Sequence, residues 1–167
     1  ITAFGPLAEG RPVQRIALSS EALSVSLLTL GAIVQSVRFD QVPHDLTLGS
    51  DHLADYEGPM RYHGSLIGPV ANRIGSASAR IGDRICHFDA NQGDDITLHS
   101  GRAGTHHKLW DLVELTETYA LLHLSLADGE GGFPGNRRLA CRFSVSGPVL
   151  RMEVTATTDA PGLMNIA

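Results

Sequence analysis

Alternation of apolar and polar residues constrains this chain more than any other feature. Between Arg137 and Ser146, Leu139, Cys141, Phe143 and Val145 fall on one side of an extended segment. Between Val149 and Thr158, Leu150, Met152, Val154 and Ala156 share one side, and Arg151, Glu153, Thr155 and Thr157 the other. Over residues 119–127, Leu122, Leu124 and Leu126 alternate with His123 and Ser125. A period of two sends successive side chains to opposite faces, so each segment reads as a strand with one face packed. Residues 24–29, 32–39 and 110–116 read as further strands. Gly82-Asp83 sits where a two-residue hairpin turn belongs, and Ser146-Gly147-Pro148 separates the last two long strands. One short helix is expected over residues 50–56, capped by Ser50 or Asp51. Consecutive antiparallel strands with tight turns predict an all-β fold of the antiparallel sandwich type.

Composition narrows the function classes. The chain has 167 residues, enough for one domain with a real core. Its net charge of −5 argues against a nucleic-acid partner, which needs a basic surface. No apolar run is long enough for a membrane span, and no signal peptide is visible at residues 1–10. Cys86 and Cys141 both read as buried free thiols, which fits a reducing cytoplasm.

Four segments could carry chemistry. Gly68-Pro69-Val70-Ala71-Asn72-Arg73-Ile74 places an amide beside a guanidinium. Together they offer the dense, directional hydrogen bonds that sugar hydroxyls need; equally, the arginine could bind loop carbonyls. Leu98-His99-Ser100-Gly101 puts a histidine among small residues at a strand end, where it could transfer a proton near neutral pH or simply sit in a surface loop. The glycine-rich stretch 128–135 lacks a phosphate-binding frame and reads as a fixed loop that places Phe133 against a sheet. His44, His52, His63, His87, His106, His107 and His123 show no metal-ligand spacing, so no metal site is expected.

Taken in series, these segments resemble the aldose 1-epimerase (galactose mutarotase) family. Leu30-Gly31-Ala32 with Val34-Gln35-Ser36-Val37 is similar to the early "YGA…SL" strand, and Leu48-Gly49 with Tyr56 to "LG…Y". Residues 68–74 resemble "GR-ANRI", with Pro69 where Arg is commoner, and residues 79–88 the hairpin after it. Residues 91–101 resemble "NNGPNSLHGG", with Ser100 replacing Gly; Trp110 resembles the Trp of "VW". Residues 128–135 resemble "DGEEGFPG", and residues 156–165 "ATTDKPTPVN".

The resemblance implies the amino-terminal part of a large galactose mutarotase-like β-sandwich (the supersandwich). It implies cofactor-free interconversion of α and β anomers of a hexose or hexose phosphate. Asn72 and Arg73 match the sugar-contacting pair, and His99 matches the first active-site histidine, near the sugar ring oxygen. In the family the general acid is a second histidine just after the "VN" that Met164-Asn165 resembles; the base is a glutamate far downstream. Residues 1–167 are therefore expected to form a single β-sandwich domain that is incomplete at its carboxyl end. A sandwich cut at Asn165-Ile166-Ala167 would expose an unpaired edge. The expected partner besides sugar is the carboxyl-terminal half or a second copy. The competing reading is a non-catalytic carbohydrate-binding or sugar-sensing module of the same fold.

Overall fold

The computed structural model describes all 167 residues. Strands β1 (Thr2–Pro6), β2 (Pro12–Ser19), β3 (Leu23–Leu28) and β4 (Ile33–Phe39) form one antiparallel sheet in chain order. Helix α1 (Leu53–Glu57) follows. Two small ladders come next: β5 (Arg73–Gly75) pairs with β8 (Ile96–Leu98), and β6 (Ser78–Ile81) with β7 (Arg84–His87) across Gly82-Asp83. The last four strands, β9 (Asp111–Leu115), β10 (Tyr119–Leu126), β11 (Arg137–Ser146) and β12 (Val149–Thr158), form a second sheet in the order β12-β11-β10-β9. The all-β, antiparallel expectation holds.

Two compact units divide the chain. The first comprises Ile1–Ser65, His106–His123 and Ala140–Thr155. One cluster in its interior holds Leu7, Val13, Leu28, Leu30, Ile33, Leu53 and Tyr56, with Phe4, Met60 and Leu109 against it. The second comprises Leu66–Thr105, Leu124–Leu139 and Ala156–Ala167. Its cluster of Ile81, Phe88, Ala103 and Phe133 packs Phe133 on Phe88 with ring centroids 4.4 Å apart. Thus the glycine-rich loop does seat its aromatic inside. Gly132 makes that possible: its φ is +86°, and a Cβ there would lie 1.8 Å from the His87 carbonyl oxygen.

Four local expectations need correction. The alternating face of β11 is buried as read, but Arg137 joins it at 2 % exposure. Its Nε donates to the Gly135 carbonyl at 3.0 Å and an Nη2–H to that of Ala127 at 2.7 Å, which is what lets a charged end enter. On β12 the pattern is present without the burial. Met152 is 49 % exposed, and on the same face Leu150 and Val154 are only half-buried; β12 is the edge strand of its sheet. The helix begins after His52 with no side-chain cap on its backbone; the Ser50 hydroxyl, ahead of the helix, instead donates to the carboxylate of Asp55 in its first turn. Both cysteines are free, yet Cys141 is buried and Cys86 only half-buried. No helix is long and apolar enough to cross a membrane.

Candidate functional site

The short β5–β8 ladder builds the candidate site within the second unit. Its register pairs Arg73 with Leu98, so the residue before Arg73 and the residue after Leu98 meet at the same end. These are Asn72 and His99. The His99 N–H donates to the Asn72 carbonyl at 2.9 Å, and the Asn72 N–H donates to His99 Nδ1 at 3.0 Å. A ring nitrogen that accepts from an N–H carries no proton. The imidazole is therefore neutral, with its hydrogen on Nε2. Burial, and then the charge of Arg73, hold its pKa below the ordinary 6.5.

Arg73 is exposed but clamped. Its Nε donates to Gln92 Oε1 at 2.7 Å and its Nη1 to Asn72 Oδ1 at 3.0 Å. Because arginine only donates, the amide oxygens must face it and both amide NH₂ groups turn away. The arrangement is rich in donors: the rest of the guanidinium, two primary amides and the Nε2–H of His99. Such a set receives oxygen lone pairs and stabilises an oxygen on which negative charge grows.

The loops that carry these groups are strained and tied. Asn72, His99 and Ser100 have φ of 67°, 50° and 66°, in the left-handed region that side-chain-bearing residues visit at a cost of about 1–3 kcal/mol each. Ser100 is 1 % exposed; its hydroxyl accepts the Val70 N–H at 2.8 Å and donates to the Val70 carbonyl at 3.0 Å. Asn91 spans its own loop, with Oδ1 taking the Leu98 N–H at 2.6 Å and Nδ2 donating to the Leu98 carbonyl at 2.9 Å. Asn165 lies alongside through a parallel bridge to Val70, and its carbonyl accepts the Ala71 N–H at 2.8 Å.

The structure thus brings Asn72, Arg73 and His99 together. Sequence reasoning overlooked the parts played by Gln92 and Ser100, although both lay inside segments it had singled out. The other histidines do not converge. His44, His52, His63, His87, His107 and His123 are exposed, and the buried His106 stacks against Tyr62 with centroids 5.0 Å apart. No group of three or more His, Cys, Asp or Glu is placed to hold a metal ion.

The aldose 1-epimerase family model matches residues 14–167. The chain belongs to the aldose 1-epimerase family. A mouse galactose mutarotase is 30% identical over 169 residues, covering 99% of this chain and 49% of that protein. A Haemophilus influenzae aldose 1-epimerase is 27% identical over 162 residues, covering 95% of this chain and 47% of its own length. Among solved structures, an aldose epimerase homologue from C. elegans superposes with a TM-score of 0.84 at 25% identity, over 92% of this chain and 49% of that one. The chain spans about half the length of the curated relatives it matches. The fold is that of the galactose mutarotase-like proteins.

Proposed function

We propose that this chain supplies the sugar-contacting part of an aldose 1-epimerase acting on a hexose or hexose phosphate, through Asn72, Arg73 and His99. The observation that carries the reading is the mutual fixing of Asn72 and His99, which makes His99 a neutral donor beside a clamped guanidinium. Anomer interconversion requires loss of the proton on the anomeric oxygen, which becomes the C1 carbonyl as the bond from C1 to the ring oxygen breaks, and delivery of a proton to that ring oxygen. The open aldehyde rotates, and reclosure on its other face gives the other anomer. In this scheme His99 Nε2–H and the Arg73 guanidinium hold sugar oxygens and stabilise the ring oxygen as charge builds on it.

A histidine whose Nδ1 already accepts a backbone N–H is poorly suited to be the general base. In line with the family resemblance, the proton-transfer pair is assigned to residues outside 1–167, in the length that the relatives have and this chain does not span. The bridge from Val70 to Asn165 supports this, because it sets the counterpart of the family's "VN" beside the candidate site. No cofactor is required by the scheme. The free cysteines support a reducing, cytoplasmic setting.

The test is polarimetry of pure α-glucose and α-galactose with the complete enzyme. Wild type raises mutarotation above the buffer rate, and His99→Ala lowers kcat by roughly 10²–10⁴, the usual share of an oriented polar or proton-transfer group. Unchanged kcat in His99→Ala removes this residue from the mechanism.

A further inference from the structure

We infer that Gln92 is a positioning residue, a neutral clamp that fixes which edge of the Arg73 guanidinium meets the sugar; this rests on the sugar-site reading above. Arg73 is an exposed arginine on a strand of only three residues, and nothing in its own strand restrains the guanidinium. Left alone, so long a side chain keeps about 2 kcal/mol of rotamer freedom that any ligand contact must overcome. Here the freedom is removed beforehand. Gln92 Oε1 takes the Nε–H at 2.7 Å while Asn72 Oδ1 takes an Nη1–H at 3.0 Å, so two adjacent nitrogens of one plane are anchored from two different loops. Two anchors fix both the position and the tilt of the plane. The Nη2 edge is left as the face for an incoming oxygen.

Gln92 is itself held. Its backbone N–H donates to the Ile96 carbonyl at 3.1 Å, as does that of Asn91 at 3.0 Å, and the Asn91 side chain closes the same loop onto Leu98. The clamp therefore hangs from a closed loop next to β8, the strand that pairs with β5. The chemistry of the acceptor matters as much as its reach. Arg73 forms no ion pair, and both of its anchors are uncharged amides. A carboxylate would have held the guanidinium equally well but offset its charge. An amide holds it and leaves the full charge available to a sugar oxygen that becomes anionic.

The experiment is a double-mutant cycle in the complete enzyme, read by kcat/KM for mutarotation, together with the ¹⁵N–¹H signal of the Arg73 Nε–H in the sugar-free protein. Arg73→Ala is expected to lower kcat/KM about 10²-fold and Gln92→Ala about 10-fold, the loss that follows from misorienting a polar contact. The Arg73→Ala/Gln92→Ala double variant should match Arg73→Ala alone, because Gln92 acts only through Arg73. The Nε–H signal, slow to exchange in wild type, should be lost in Gln92→Ala and retained in Gln92→Glu, which keeps the acceptor. In Gln92→Glu, KM should stay near wild type while kcat falls, since the plane is held but its charge is offset. If Arg73→Ala is impaired and Gln92→Ala is not, or if the two effects multiply, the positioning role is overturned while the sugar site stands. If Arg73→Ala itself is unimpaired, the sugar-site reading fails and takes the clamp with it.

Discussion

Replacing Ser100 by alanine isolates the tie that holds the two site loops together. In Ser100→Ala the strained backbone remains, with φ of 66° at a 1 % exposed position, while the hydroxyl disappears. That hydroxyl is the partner of both backbone groups of Val70, at 2.8 Å and 3.0 Å. Orphaning a buried backbone group costs about 1–3 kcal/mol, so losing both at this half-buried residue should destabilise the fold by roughly 2–4 kcal/mol. For a protein of this length that corresponds to a drop of roughly 4–16 °C in Tm.

Ser100→Gly loses the same bonds but relieves about 1–2 kcal/mol of left-handed strain. It also gains about 0.4–1 kcal/mol of unfolded-state entropy, which offsets part of that relief. Glycine should therefore be at least as stable as alanine, by roughly 0–1.6 kcal/mol, the difference of those two ranges. Thermal unfolding followed by circular dichroism, with urea titrations alongside, measures both gaps. An alanine variant that melts with wild type would refute the two-bond account. A glycine variant less stable than alanine would refute the strain account.

Three further outcomes are expected. Cys141 is buried and its thiol pKa is pushed up to about 12 by that burial, so a thiol reagent should label only Cys86 in the native protein and both cysteines in denaturant; rapid native labelling that survives Cys86→Ala would contradict this. Asp45 is partly desolvated, which opposes ionisation, yet hydrogen bonds from Ser36, Thr47 and the Val37 N–H bring its pKa down to about 2 from 3.8. Its contribution to stability is present above pH 3.8 and is lost as pH falls toward 2, so urea midpoints of wild type should decline more steeply over that window than those of Asp45→Asn. His99 works in the same direction at higher pH. Its pKa is lowered, so the unfolded chain takes up the proton first and stability begins to fall once pH drops below 6.5.

How far the sequence could be read differs between elements, for physical reasons. In β10 and β11 the period of two was decisive: Leu122, Leu126, Leu139, Cys141 and Phe143 are all 2 % exposed or less. The same pattern in β12 correctly sorted the side chains into two faces, but a pattern cannot say whether another layer covers a face. Arg137 escaped notice because its acceptors are carbonyl oxygens, which every residue carries and no sequence pattern marks. The candidate site was only half legible. Asn72, Arg73 and His99 stood out through resemblance to a family, since an adjacent amide and guanidinium have many structural uses.

The sequence by itself determined an antiparallel β protein, its family and the residue types gathered at the candidate site. These depend on local periodicity, turn chemistry and the order of short motifs, all of which are written along the chain. Only the tertiary structure decided what those residues do to one another. The bond from Asn72 to His99 joins residues 27 apart, and that from Arg73 to Gln92 residues 19 apart. Both depend on the β5–β8 register and on left-handed turns at Asn72, His99 and Ser100. That register turns His99 from a candidate proton carrier into a neutral donor, and an exposed arginine into a fixed one.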